Sequence, residues 1–324
     1  MMAIRATAFA VGLLGIVLSA APCLAQTWPQ RSVKFIVPFG PGAGADIGAR
    51  LFADRLSALW AKPVVVENRP GADGLVAITA FVGANDDHIL LFAASGSFTV
   101  HPYLHEKLPY AAERDLLPIA RVSNTILAIG VSDSLKIGSL TEFVAHARAR
   151  PDKLNAAVVP GITEFVFDGF VKGAGLAITK VPYRDIVQAA TDVGEGRVQV
   201  MMASWAILQP QVQAGRIKVL AVTSREPVSI APGIPTAAEA GHPALEVEGL
   251  VGLFGPRGMP ADLRERIAAD VRAVFNADPT IATRLATTGQ VVNPGGPAEF
   301  TTAVKEQRDK VAGVAQALGI RPKQ

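Results

Sequence analysis

Short β-rich runs alternate with stretches of helical period along most of the chain. Val33–Val37 reads as a strand, and in Asp46–Trp60 the apolar Ile47, Leu51, Phe52, Leu56 and Leu59 fall at helical spacing. Val64–Val66 predicts the next strand, Asp73–Val82 the next helix and Ile89–Ala93 a third strand. A second set opens near Ile126–Val131. It continues with a helix at Leu140–Arg148, a strand at Asn155–Val159, a helix at Glu164–Lys172, and strands at Val198–Met202 and Ile217–Val222. The Gly- and Pro-rich stretch Ala231–Pro243 reads as a loop or linker. After the apolar run Val247–Phe254 come helices, one striped by Leu263, Ile267, Val271 and Val274, the other by Phe300, Val304, Val311 and Leu318. This alternation argues for an α/β fold in two lobes with a helical tail.

Composition narrows the partners. Half of the 324 residues are hydrophobic and the net charge is only +3, which excludes intrinsic disorder. With 31 basic against 28 acidic residues the charge is mixed, so no nucleic-acid partner is expected. At the N-terminus, Arg5 precedes the apolar run Ala6–Ala21, and Pro22-Cys23-Leu24-Ala25 follows. That order predicts a secretory signal peptide over residues 1–25, cleaved after Ala25, and a periplasmic protein. The run is shorter than the roughly 20 apolar residues of a spanning helix. Pro22 sits where a lipid-attachment signal wants a small residue. The single cysteine, Cys23, falls inside the predicted signal, so no disulfide, thiolate nucleophile or cysteine-held metal is expected in the mature chain.

Ligands of open α/β sheets bind in loops beyond the carboxyl ends of the strands, and three such loops carry candidate chemistry. The first, Pro38 to Asp46, contains Phe39, Gly42, Ala43 and Gly44. Its glycines let backbone amides approach a ligand, and the following helix start favours an anion such as a carboxylate. Two other readings stay open: a plain turn, and a dinucleotide fingerprint through Gly42, Gly44, Gly48 and Glu67. Against the latter, Pro38 and Pro41 remove amides that a phosphate turn would use. The second loop runs from Glu67 through Asn68, Arg69, Gly71 and Ala72 to Gly74. Arg69 could fork onto a carboxylate or pair with Glu67 at the surface, and Asp73 reads as a helix cap. The third holds Ser95 and Ser97 around Gly96, without the Gly-x-Ser-x-Gly elbow of a serine hydrolase. His101 and His105 lack the glutamate and third ligand of a metalloprotease, so the histidines read as solvent-facing or loop residues and no metal site is expected.

Beyond these readings, Trp28-Pro29, Val33–Arg50, Val64–Gly74, Leu108-Pro109-Tyr110, Val181–Arg184, Ala214–Ser224 and Ile234–Gly241 resemble the Bug receptors in sequence and order. These are the extracytoplasmic solute-binding proteins of tripartite tricarboxylate transporters. The resemblance implies a type II periplasmic-binding-protein fold, two α/β lobes with a ligand cleft between them. Lobe 1 would comprise residues 26–122 and 247–324, and lobe 2 residues 123–246. It also implies a small organic acid held on the first two loops, often through bridging waters, and delivery to membrane permease subunits.

The second lobe departs from the family pattern. Where a Gly-Ser-x-x-His-Leu helix start is usual, this chain has Pro160-Gly161-Ile162-Thr163-Glu164-Phe165, and Asp185 replaces a glycine after Val181–Arg184. Thr163 can supply the missing hydroxyl. Glu164 and Asp185 either cap helices or stand as acceptors against a second ligand carboxylate. The expected protein is a monomeric receptor, without cofactor, whose work is binding and hinge closure. The rivals are an exported enzyme on the same architecture and a nicotinamide-dependent oxidoreductase.

Overall fold

The computed structural model describes residues 28–323. The predicted signal peptide and its cleavage after Ala25 lie outside the described residues. Residues 28–30 belong to a separate N-terminal unit, and from Arg31 onward the chain forms one unit.

That unit opens with three βα steps. Val33–Val37 (β1) leads to Gly44–Trp60 (α1), Val64–Asn68 (β2) to Leu75–Ala84 (α2), and Ile89–Ala94 (β3) to Ser95–Leu104 (α3). A single turn, Ala112–Asp115 (α4), precedes the long strand Leu117–Thr125 (β4). β1 pairs in parallel with β2 and β3, so its apolar residues are covered on both faces. Val33, Phe35, Ile36 and Val37 are buried, each such side chain worth roughly 1.5–3 kcal/mol. α1 buries the stripe Leu51, Phe52 and Leu56 against this sheet. It stops where Ala61 turns left-handed, ahead of Pro63.

After β4 the chain enters a second sheet. Its elements are Leu127–Ser132 (β5), Leu140–Ala149 (α5), Leu154–Val158 (β6), Ile162–Gly173 (α6), Ile178–Pro182 (β7), Ile186–Gly194 (α7), Val200–Ser204 (β8), Trp205–Gln213 (α8) and Ile217–Val222 (β9). The strand order is β7-β6-β8-β5-β9, with β6 parallel to β7 and β8. The chain then returns to the first sheet as Gly249–Gly255 (β10). Ala261–Ala277 (α9), Thr280–Ala286 (α10), Gln290–Gly295 (β11) and Pro297–Leu318 (α11) complete it, in the order β11-β4-β10-β3-β1-β2. Each sheet has its own buried apolar clusters, such as Ile78, Phe81, Phe254 and Phe300 in the first lobe and Phe143, Val166, Phe167 and Phe170 in the second. Among the described residues, no helix is long and apolar enough to cross a membrane.

One local expectation is corrected. The α-helix expected from Asp73 begins at Leu75, after a short 3-10 turn at Ala72–Gly74 whose positive φ values (46°, 54° and 94°) a right-handed α-helix does not accommodate. Asp73 therefore caps nothing. The Ala231–Pro243 stretch is a loop, as expected, and it is pinned: the Val222 and Ala237 amides bond to the Pro235 and Val222 carbonyls, and Ala231, Thr236 and Ala237 are buried.

The sheets leave little slack where strands cross under helices. A Cβ on Gly252 in β10 would lie 2.3 Å from the Ala120 carbonyl and 2.6 Å from the Phe300 ring. Gly252→Ala should therefore destabilise the protein by roughly 1–3 kcal/mol. Gly313→Ala, on the exposed face of α11 with nothing within 4 Å, should stabilise it by about 0.5–1 kcal/mol. Urea unfolding of both variants checks the pair.

Candidate ligand cleft

Parallel pairing puts the ends of β1, β2 and β3 on one edge, so the loops at 38–43, 69–74 and 95–97 emerge together. They meet at Gly74. A Cβ there would lie 3.2 Å from Pro38 and 3.7 Å from Ser97. The same logic brings the ends of β6 and β7 together in the second lobe, where the Tyr183 amide bonds to the Val158 carbonyl at 2.8 Å. The two lobes touch at the first turns of α3 and α6: a Cβ on Gly96 would come within 2.9 Å of Ile162. They touch again where Gly289 lies against the backbone of Ala206, at the start of α8.

The first two loops are held by one carboxylate. Asp46, only 2% exposed, accepts the Gly42 amide at 2.8 Å, the Asn68 amide at 2.7 Å and the Arg50 guanidinium at 3.1 Å. Asn68 also donates to the Phe39 carbonyl at 2.9 Å and accepts from Arg50 at 2.9 Å. Burial alone would raise the Asp46 pKa, but the bonds from Arg50, Asn68 and Gly42 outweigh it and hold the carboxyl below its ordinary value. Asp46, Gly42 and Asn68, expected among the ligand-binding residues, also hold the two loops together. Gly42 is still required, because its φ of 85° is one that side chains with a Cβ avoid. The loops leave the first turn of α1 without a side-chain cap at Ala43, and the turn Gly71-Ala72-Asp73 exposed, with Gly71 at φ 128°.

Two further expected contacts separate. Ser95 is fully buried and donates to Gln307 at 2.7 Å, whereas Ser97 stays partly exposed at the loop junction. Arg69 pairs through Nε with Glu67, which also binds Lys34 at 2.6 Å, so the surface-pair reading describes it. In the second lobe, Gly161 takes φ 141° and leaves the α6 start without a side-chain cap, next to partly exposed Thr163. Glu164 is neither a cap nor a loose acceptor: Lys180 on β7 binds it at 2.9 Å and Asp168 at 2.7 Å. Burial would lower the Lys180 pKa, but these two carboxylates keep it above its ordinary value. Asp185 does cap, its Oδ1 accepting the Val187 amide at 2.8 Å and the Gln188 amide at 3.4 Å. Arg184 beside it was not singled out as a site residue. It is exposed and has no ion-pair partner among the described residues.

The histidines correct another expectation. His101 is fully buried in α3, not at the surface, because it completes a hydrogen-bonded relay beneath the second loop. Nδ1 lies 2.6 Å from the Tyr110 hydroxyl and Nε2 3.2 Å from the Asp73 carbonyl. A carbonyl only accepts, so Nε2 carries the proton and the Tyr110 hydroxyl donates to Nδ1. Neutral His101 thereby fixes the left-handed turn that presents the Gly71–Asp73 amides.

Solved structures similar to this chain share the two-lobed arrangement. Rpa4515 of R. palustris, solved with adipate, is 27% identical, with a TM-score of 0.77 over 91% of this chain and 100% of that one. MatC of Rhodopseudomonas palustris, solved with bound malate, is 26% identical, with a TM-score of 0.74 over 89% and 99%. BugT of Bordetella pertussis is 29% identical over 290 residues, 85% of this chain and 89% of its own. Two α/β lobes with facing loops make this a solute-binding protein of the type II periplasmic-binding fold. The profile of the tripartite tricarboxylate transporter family receptor matches residues 48–320, and the chain belongs to that family as a Bug-type receptor. Working with tripartite transporters is the family's role.

The relay beneath the second loop gives a pH signature. Burial, ahead of the opposing Asp73 carbonyl, lowers the His101 pKa, and neighbouring His105 lowers it further. The unfolded chain then takes up a proton at a pH where the folded chain does not. Stability is full above about pH 6.5 and falls as pH drops through the folded value. Melting temperatures between pH 7.5 and 5.5 should fall less steeply for His101→Gln than for wild type.

Proposed function

We propose that this receptor captures a small organic carboxylate between its lobes and delivers it to the permease subunits of a tripartite tricarboxylate transporter. The observation that carries this reading is the meeting of uncapped, glycine-shaped backbone turns at one place. Ala43, Gly44, Gly71, Ala72 and Ser97 come from one lobe, and Gly161 and Thr163 from the other. Helix starts and free amides favour an anion, and a carboxylate can be bound from them directly or through water. Phe39, Gly42, Asp46, Asn68 and Ser95 shape this surface, and Arg69 stands at its rim. The lobes follow the expected division, residues 26–122 and 247–324 for lobe 1 and 123–246 for lobe 2, with the crossings a few residues later on the strands: β4 stays in the first sheet to Thr125, and β10 rejoins it at Gly249. The protein is exported with its signal removed after Ala25 and acts as a monomer, by binding and closing rather than by making bonds.

A diacid is the favoured guest. Glu164 is tied back by Lys180, which it shares with Asp168, and Asp185 gives one oxygen to its cap, so neither carboxylate is a loose acceptor for the ligand. Arg184, exposed two residues past the end of β7, adds a cation without an ion-pair partner among the described residues on the side where β6 leads into α6. That relatives were solved with adipate and malate supports the same class.

Four measurements test the reading. Mass spectrometry of acid released from natively purified protein should find a small carboxylate. A panel of diacids, monoacids and NAD(P) should raise the melting temperature only with acids; stabilisation by NAD(P) alone would favour the oxidoreductase. Arg184→Gln should weaken a diacid about tenfold, ~1.4 kcal/mol, and a monoacid much less. Calorimetry with Gly42→Val and Gly71→Val should show binding lost in both, and wild-type affinity in either would contradict the loop placement.

A further inference from the structure

Two buried glutamines tie the loops of the cleft to the two places where the chain passes between the sheets. The outward passage follows β4: Thr125 still belongs to the first sheet and Leu127 to the second. The return runs through Val247, bonded to Thr223, and Glu248 into β10. Leu250 and Asn124 are register partners, so the two passages lie side by side.

Gln290, at the start of β11 and 1% exposed, accepts the Ser123 hydroxyl at 2.7 Å beside the outward passage. Its Nε2 donates to the Gly44 carbonyl at 2.8 Å, in the first turn of α1, and to Thr288 at 2.8 Å. Gln307, 5% exposed on α11, repeats the pattern on the return passage. Its Nε2 donates to the Glu248 carbonyl at 2.6 Å, and its Oε1 accepts from Ser95 at 2.7 Å and Thr99 at 3.3 Å, in the first turn of α3. The Gly44 and Glu248 carbonyls only accept, which fixes both amide orientations. Each glutamine therefore holds one loop with one end and one passage with the other.

The surroundings suit a moving joint. A cavity of about 440 Å³ flanks the passages, lined by Arg121, Asn124, Arg225, Glu248, Gln307 and Lys310, so the segment is not packed solid. Gly289, next to Gln290, accepts the Ile126 amide at 2.9 Å and lies against Ala206 of the other lobe.

We propose that Gln290 and Gln307 are positioning residues that couple ligand engagement at the loops to bending at the two passages. Drawing the starts of α1 and α3 onto a ligand displaces Gly44 and Ser95, and the amides carry that displacement to Ser123 and Glu248. A ligand biases closure only through its differential affinity for the two states, and these links let contacts in the first lobe contribute to that difference. The inference rests on the carboxylate-capture reading above.

The test uses the full mature chain with adipate and with malate, measuring the radius of gyration by small-angle scattering and the dissociation constant by calorimetry. Wild type should contract at saturation. Gln290→Met and Gln307→Met should bind at least tenfold more weakly and, at saturation, contract by less than half as much. A merely structural role would lower the melting temperature and leave full contraction at saturation. Gln290→Glu, whose protonated acid again donates and accepts, should regain contraction as pH falls from 8 to 5. A contracting wild type with equally contracting Met variants overturns this inference alone. A wild type that contracts with neither acid overturns the capture reading, and this inference with it.

Discussion

The Asp46 carboxylate accepts from the Gly42 amide, from Asn68 and from Arg50, and in doing so makes two separate loops into one body. A buried carboxylate without such donors would neutralise or unfold its surroundings. Here every nearby donor converges on it, and the Asn68 bond to the Phe39 carbonyl closes the circuit. The turn Gly71-Ala72-Asp73 is left exposed beside the first turn of α1. Side chains do the holding and main chain does the presenting.

That division has a functional consequence. Backbone amides at helix starts attract any carboxylate, so the first lobe supplies affinity for a class of ligand. Discrimination among members of the class falls to the second lobe, where Thr163, Arg184 and the tied-back Glu164 and Asp185 stand. The His101 relay serves the same division from below: it is buried, neutral and directed at a carbonyl, and it fixes a turn rather than touching a ligand.

Much of the architecture was legible because buried parallel strands and striped helices announce themselves. β1, α1, β3, α5 and β9 follow their hydrophobic patterns to within a residue or two. α3 did not, since Ser95-Gly96-Ser97, β-branched Thr99 and Val100, and Pro102 all disfavour a helix, and packing against Phe254 and Gln307 overrides them. β4 was missed because Pro118, Arg121, Ser123 and Asn124 break its alternation, their polar atoms serving the crossing instead. The loops were legible as glycine-rich anion sites, but the bond of the Gly42 amide to Asp46 and the burial of Ser95 were not. Which way an amide or hydroxyl faces depends on partners such as Asp46 and Gln307, and Gln307 lies 212 positions from Ser95. Lys180 was invisible for the same reason: only the β6–β7 pairing brings it under Glu164.

The account stands or falls on a ligand lying against the main chain where the loops of the two lobes meet. Amide hydrogen exchange of the full mature chain, with and without the acid that co-purifies with it, reads this at the residues concerned. Protection should rise at Gly44, Ala45, Ala72, Asp73 and Ser97 in the first lobe and at Thr163 in the second, with the outer helices α9 and α10 unchanged. Protection absent from these amides, or confined to the cavity beside the crossing strands, would contradict the account.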